Sequence, residues 1–204
     1  MDRYLRGERI DVQAIAAELG LGRTTIYRWF GSRDGLIGEV LVCAGEPLLE
    51  RARAGARGTG AAALLDTLDR FNRSLAEARP LRGFVEHERE AALRIITSSA
   101  GKVQPWVVGA IAGLISQEVR AGTYRPAIEP ATLAYAIVRL GEAFLYNDAV
   151  GSMRGDVDRL REVQAAMFGW ERPGGSHDGL VGGGPQIAPE ELSLTSASGR
   201  QNRR

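Results

Sequence analysis

The sequence predicts an all-α fold built from several amphipathic helices. Apolar residues recur at i, i+3, i+4 and i+7 through most of the chain, which is the period of a helix with one buried face. No segment shows the alternating, β-branched pattern of a strand. Glycine and proline stand where these periodic segments begin or end, as expected for helix termini.

Three short helices are expected near the N-terminus. Residues 12–19 carry one apolar stripe, which Gly20 can end by adopting the left-handed conformation. Ile26 and Phe30 mark the inner face of a second helix, and Ser32 can cap a third. The dimensions of the first two helices, joined by a tight glycine-containing turn, are those of a helix-turn-helix.

Longer helices are expected after residue 46. A Gly/Ala/Arg segment at 52–60 suggests a flexible joint or a weakly packed helix end. After Pro80, the residues Phe84, Glu88, Ala91 and Ile95 follow one helical line, with Val85, Ala92 and Ile96 beside it, and this spacing predicts a single helix. Further helices are expected to begin near Pro105 and at Pro130, because proline is favoured in the first turn.

The helices near 130–147 and 156–168 differ from the rest in how much apolar surface they carry. The first is apolar over much more than a third of its circumference, so it needs two partners. Both helices can form a homodimer interface, or both can pack only into the core of their own chain. From residue 172 the composition shifts to Gly, Pro, Ser, Gln and Asn, which predicts a disordered tail over 172–204.

Composition limits the classes of function. The net charge is +1, the hydrophobic fraction is 44% and no uninterrupted apolar run reaches membrane-spanning length. The N-terminus has no apolar leader. The single cysteine, Cys43, fits a reducing compartment and is expected to be a small apolar side chain rather than a sensor thiol. These features predict a cytoplasmic protein without a membrane partner.

The most informative segment is a cationic stripe in the second predicted helix. Arg23, Arg28 and Arg33 occur with no acidic residue among the positions from 23 to 33. Because Ile26 and Phe30 point inward, the remaining side chains of this helix must lie on its other faces. We therefore predict that these faces contact DNA through Arg23, Thr24, Thr25, Tyr27, Arg28 and Trp29, together with Arg33 at the start of the next helix.

Each residue type suits a particular contact with DNA. Arg23 and Arg28 can donate two hydrogen bonds to guanine or bind phosphate, and threonines can bind phosphate or contact a thymine methyl group. Tyr27 and Trp29 can donate to phosphate from the edge of the groove, and Arg33 adds a cation at a helix N-terminus. Two alternatives remain: Trp29 can be a packing residue, and Arg28 can pair with Asp34 or Glu39.

The run from Gly22 to Phe30, followed by Gly31 to Leu36, resembles the DNA-binding domain of the TetR family of regulators. Its Tyr27-Arg28-Trp29 version is similar to the QsdR-type branch, which is associated with quorum-signal lactone degradation. The resemblance implies a DNA-binding domain over 1–46 and a helical ligand-binding and dimerisation domain over 47–171. It also implies a dimeric repressor that binds a palindromic operator in double-stranded DNA and is released by a small-molecule effector.

Two positions depart from the family pattern. Gly22 stands where a serine or threonine often caps the recognition helix, which costs a few tenths of a kcal/mol. The family also has a full helix ahead of Ile10, whereas only residues 1–7 precede that region here. We therefore expect either a start upstream of Met1 or a clipped first helix with a weaker DNA-binding domain.

Candidate residues for the effector pocket are large apolar or amphipathic groups expected near helix crossings. They are Phe71, Phe84, His87, Trp106, Ile111 and Phe144. Each can instead be an ordinary core residue.

Catalytic and metal sites are not expected. His87 lies among three glutamates, but consecutive helical residues point in different directions, so a zinc site is not predicted. No nucleophile motif, phosphate loop or metalloprotease motif occurs, so we expect neither an enzyme nor a cofactor. The remaining alternative is a helical adaptor that has lost DNA binding.

Overall fold

The computed structural model describes residues 1–146 and 156–169, which are helical and contain no strand. This confirms the predicted all-α fold. In the described ranges the helices are α1 (Asp2–Leu5), α2 (Val12–Glu18), α3 (Arg23–Phe30), α4 (Arg33–Ala54), α5 (Gly60–Glu77), α6 (Arg79–His87), α7 (Arg89–Thr97), α8 (Val103–Arg120), α9 (Pro130–Tyr146) and α10 (Val157–Met167).

Caps and turns fix the helices α2 to α4 at their predicted positions. The Asp11 carboxylate accepts hydrogen bonds from the amides of residues 13 and 14, at 2.7 and 3.4 Å, and thereby starts α2. Gly20 has φ +64 in the turn before α3, as predicted. Gly22 starts α3 without a side-chain cap. The Ser32 hydroxyl accepts from the Gly35 amide at 3.0 Å and starts α4, which confirms the predicted cap.

A single helix connects the N-terminal helices to the rest of the chain. The predicted domain boundary after residue 46 lies inside α4, which continues through Pro47 for 22 residues in all. Contacts place the described residues, 1–146 and 156–169, in one unit. The predicted tail lies outside the described residues, and the division of 1–171 into two domains stays a prediction.

The joint at 52–60 is buried only at its two ends, Ala52 and Gly60, and the residues between them are exposed or half-buried. Gly60 has φ +60, and a Cβ there would lie 2.2 Å from the Thr123 carbonyl oxygen. Its amide donates to the Glu118 carboxylate at 2.7 Å. These contacts hold the start of α5 against the end of α8.

The single helix predicted after Pro80 is wrong, since the structure forms two helices, α6 and α7. Glu88 stands between them with φ −128 and ψ 46, which is not helical. Its carboxylate is bound by Arg33 at the start of α4. A tertiary ion pair therefore accompanies a break that the apolar pattern of the segment does not show.

Two hydrophobic clusters stabilise the fold. The first joins α1 to α4 with α6 and α7, and its buried members include Ile26, Ile37 and Ile95. The second packs α5, α8, α9 and α10 around residues such as Ile115 and Ile137, which are fully buried. The helix-turn-helix thus shares a core with α6 and α7 rather than standing apart.

None of the helices in the described ranges combines the length and the apolar character that a membrane crossing requires.

Candidate nucleic-acid interface and cavity

The outer face of α3 is accessible, as a DNA-reading surface requires. Ile26 is buried at 2% exposure and Phe30 is half-buried, so these two residues anchor the helix. The four residues Arg23, Thr24, Arg28 and Trp29 are exposed, whereas Thr25 and Tyr27 are half-buried at the margin of the face.

Trp29 and Arg28 do not take the alternative roles considered for them. Trp29 is 58% exposed and therefore is not a packing residue. The two carboxylates considered as partners of Arg28 are bound elsewhere: the Asp34 carboxylate accepts from Arg94 at 2.8 Å, and Glu39 pairs with Lys102 at 3.3 Å. Among residues 1–146 and 156–169, Arg28 has no acidic partner, and its side chain is exposed.

Arg23 and Tyr27 are positioned together at the start of α3. The Arg23 guanidinium lies over the Tyr27 ring, with 5.8 Å between its central carbon and the ring centroid. This contact restrains the arginine without using its hydrogen-bond donors. The donors therefore remain available to a base or a phosphate.

Arg33 is placed differently from the other candidate DNA contacts. Its Nη2 donates to both oxygens of the Glu88 carboxylate, at 2.9 and 2.8 Å, and its Nε donates to the Ile10 carbonyl at 3.2 Å. The predicted phosphate contact stays a prediction. In this arrangement a phosphate would have to displace the Glu88 carboxylate.

Arg9 is a cation near α3 that the sequence reasoning missed. Its side chain is 80% exposed, and it lines a shallow depression together with Arg23, Tyr27 and Arg33. Its Nε lies 3.6 Å from the Glu88 carboxylate. The available signal was an arginine two residues before the Asp11 cap, where the chain enters the helix-turn-helix.

A cavity of about 420 Å³ lies among α1 and the helices α4 to α10, and its lining is mostly apolar. Such a volume lies within the range of small-molecule sites. Phe71, Trp106 and Ile111 line it, as the sequence reasoning proposed. Cys43 also lines it and is exposed, unlike a core residue.

Phe84, His87 and Phe144 are not among the residues that line this cavity. The first two face a separate depression beside Arg9 and Glu88, because α6 ends at the break before α7. A His87 ring nitrogen lies 2.7 Å from the Gly83 carbonyl oxygen, which fixes the ring against its own helix. Their role as effector contacts stays a prediction.

Several polar side chains line the cavity and were missed. The Asn72 amide donates to the Gln164 side-chain oxygen at 3.1 Å, and both residues are buried. Glu142 accepts from Arg139 at 2.9 Å. Burial raises the pKa of the Glu142 carboxyl, although its pairing with Arg139 acts in the opposite direction. A signal existed for the amides, since Asn72 and Gln164 stand on apolar helical faces four residues after leucines.

Two tyrosines that were also missed close one side of the cavity. Tyr4 on α1 and Tyr146 at the end of α9 both line it, at 8% and 9% exposure. Burial raises the pKa of both phenols, that of Tyr4 to about 12. No periodic pattern singles out these two residues.

At Gly45 the backbone of α4 itself lines the cavity, because glycine has no side chain. A Cβ on Gly45 would lie 2.8 Å from Cη2 of Trp106, which lines the cavity from α8. Glycine at this position therefore allows the indole to lie directly against the backbone of α4. The two helices are in close contact there.

Within the parts of the chain that the structure describes, no group of three or more histidine, cysteine or acidic side chains could hold a metal ion.

Comparison with known proteins agrees with this arrangement. Residues 59–169 match a family model described as "Tetracyclin repressor-like, C-terminal domain". A solved structure of the R. erythropolis transcriptional repressor QsdR from the TetR family is similar, with a TM-score of 0.78 and 29% sequence identity. The alignment covers 84% of this chain and 90% of that one. No significant match was found among curated proteins.

The family model covers more than half of the chain, and the solved repressor extends the similarity to most of it. The chain therefore belongs to the TetR family of transcriptional regulators.

Proposed function

We propose that this regulator is a repressor that binds a palindromic operator as a homodimer and is released when a small molecule enters the cavity. The observation that carries the proposal is the exposed face of α3, with Arg23, Arg28 and Trp29 accessible above the buried Ile26. An exposed tryptophan between two arginines is costly to leave in water and suits a groove edge lined by phosphates.

In this proposal the α3 helix enters the major groove. Arg23 and Arg28 read bases or bind phosphate, Trp29 and Tyr27 donate to phosphate, and Thr24 contacts the groove beside them. TetR-family regulators generally act without catalysis, and we propose the same for this protein, acting on chromosomal DNA in the cytoplasm.

The homodimer is proposed to form through α9 and α10. Both helices bury one side in their own chain and leave apolar groups outside, with Tyr135 47% and Val163 41% exposed. Arg159 and Ala166 are exposed beside Val163 on α10. Two-fold symmetry then requires two equivalent half-sites, separated by about one helical turn of DNA or a multiple of it.

The experiment separates DNA contact from dimerisation. Arg23→Ala removes a bidentate donor, so we expect binding to DNA flanking the protein's own gene to weaken by about 1–3 kcal/mol, or about 5- to 150-fold. Tyr27→Ala should also weaken it. Gel-shift titration measures the effect, and light scattering should show both variants as dimers.

Matched variants serve as controls. Arg120→Ala removes an exposed arginine at the end of α8, far along the chain from α3, and should leave DNA binding unchanged. Val163→Glu should give monomers, whereas Val119→Glu, at a 38% exposed position of α8, should not. A wild-type chain that binds no DNA even at low salt would favour a helical adaptor, and monomers in Arg23→Ala would refute the assigned roles.

A further inference from the structure

The polar groups of the cavity divide into those that already have partners and those that do not. Asn72 bonds to Gln164, and Glu142 bonds to Arg139. By contrast, the phenol oxygens of Tyr4 and Tyr146 make no hydrogen bond to any residue that the structure describes, although the two residues are only 8% and 9% exposed. Both oxygens keep some accessible surface, because every fully buried side-chain nitrogen or oxygen in the described residues has a hydrogen-bond partner.

The two phenols lie near one another at the same wall. The ionised form of Tyr4 would add to the rise in the pKa of Tyr146, which burial dominates. Both groups are therefore neutral hydroxyls near pH 7 and can act as donors. Because neither hydroxyl is used by the protein, both can donate to an acceptor atom of a molecule that enters the cavity.

The charge of the lining restricts the ligand further. Glu142 is a carboxylate or carboxyl that is already paired, so it offers little to a cationic ligand and opposes an anionic one. Arg51 is the other charged lining residue, and its side chain is exposed to solvent. The rest of the wall is built mainly from aliphatic and aromatic side chains such as Leu68 and Phe71.

We propose that the cavity takes a neutral, largely apolar molecule with one carbonyl-type oxygen, which accepts hydrogen bonds from the phenols of Tyr4 and Tyr146. This inference rests on the proposed function, because it names the chemical class of the effector. It also places the ligand between α1 and the end of α9. Tyr4 lies on α1, whose core is shared with the helix-turn-helix, and Tyr146 ends α9.

The inference is tested by direct binding to the full chain in the absence of DNA. The probes are the methyl ketone, the carboxylic acid and the primary amine of one ten-carbon chain, measured by isothermal titration near neutral pH. We expect the ketone to bind most tightly. Tyr4→Phe and Tyr146→Phe should each raise the Kd of the ketone about three- to tenfold, as expected for one lost hydrogen bond.

Tyr124→Phe is the matched control, because its phenol donates to the Phe168 carbonyl at 3.3 Å and does not line the cavity. Its Kd for the ketone should equal that of the wild type. Equal ketone affinity in the wild type and both cavity variants overturns the inference. The inference is also overturned if the wild-type chain binds the acid or the amine more tightly than the ketone. This comparison uses only the wild-type chain, so it does not depend on whether a variant folds.

The two proposals fail in different ways. A wild-type chain that binds its own flanking DNA but does not discriminate the ketone refutes only the ligand class. A chain that prefers the ketone but binds no DNA refutes the repressor and retains the cavity chemistry.

Discussion

The α3 helix carries its proposed functional groups on the protein surface, whereas the cavity carries them in the protein interior. On α3 the residues proposed for function are the exposed ones, and Ile26 beneath them only anchors the helix. In the cavity the proposed groups are buried among apolar side chains, as Tyr4 and Tyr146 are. A surface site can therefore be changed with little effect on folding, whereas a cavity site cannot.

The largest effect should come from comparing two positions on α3 itself. Ile26→Ala removes a side chain that is 2% exposed and should lower the free energy of unfolding by about 2–5 kcal/mol. Trp29→Ala removes a larger side chain that is 58% exposed, and should change that free energy by about 0.5 kcal/mol or less. Urea unfolding measures both, and similar losses at the two positions would contradict the comparison.

The free energy of unfolding above pH 10 tests whether the cavity phenol of Tyr4 is buried. Because burial raises the pKa of Tyr4 to about 12 from 10.0, the folded chain keeps this phenol protonated at a pH where the unfolded chain ionises it. Its contribution is complete below pH 10 and is lost as pH rises towards 12. From pH 10 to pH 12 the free energy of unfolding should therefore fall in both proteins, but by about 2 kcal/mol less in Tyr4→Phe than in the wild type.

Tyr135→Phe is the control for this profile, since Tyr135 is an exposed phenol on α9. It should follow the wild-type profile in denaturant unfolding across the same pH range. Lys102 is the only lysine in the sequence, so few other side chains titrate there. A Tyr4→Phe profile parallel to that of the wild type would contradict the buried, protonated phenol.

A further effect is expected at the ion pair between Arg33, at the start of α4, and Glu88, at the break between α6 and α7. Glu88→Gln and Arg33→Gln should each lower the free energy of unfolding by about 1–3 kcal/mol, because each leaves a half-buried charge unpaired. Glu88→Gln should bind DNA at least as tightly as the wild type, since it releases Arg33 and Arg9. Arg33→Gln should bind DNA less tightly.

Gel-shift titration and urea unfolding on the same preparations separate these effects. The double variant should be little less stable than either single variant, because both remove the same pair. Unchanged DNA affinity in Arg33→Gln would assign this arginine to the fold alone.

The sequence predicted the fold and the α3 surface because both follow from local rules. Apolar periodicity located the helices, Ser32 and Gly20 marked helix ends, and the inward positions of Ile26 and Phe30 determined which side chains of α3 remain outside. Only the position of each residue on one helix was needed for these predictions.

The break at Glu88 and the composition of the cavity could not be predicted in the same way. The helical spacing of apolar residues from Phe84 to Ile95 continues past Glu88, and the ion pair that accompanies the break comes from a residue 55 positions earlier. Phe84 and Phe71 look equivalent in sequence, yet only Phe71 lines the cavity. Both outcomes depend on how helices cross, which periodicity does not encode.

The uninterrupted course of α4 has a mechanical consequence. Its 22 residues make a rod about 33 Å long. Ser32 and the helix-turn-helix are fixed at one end, and the backbone at Gly45 lies against the cavity further along. For a stiff rod of this length, a tilt of about 5° about one end moves the other by about 3 Å. That displacement is comparable to a hydrogen-bond length, so a small angular change suffices to take an α3 helix out of register with its half-site.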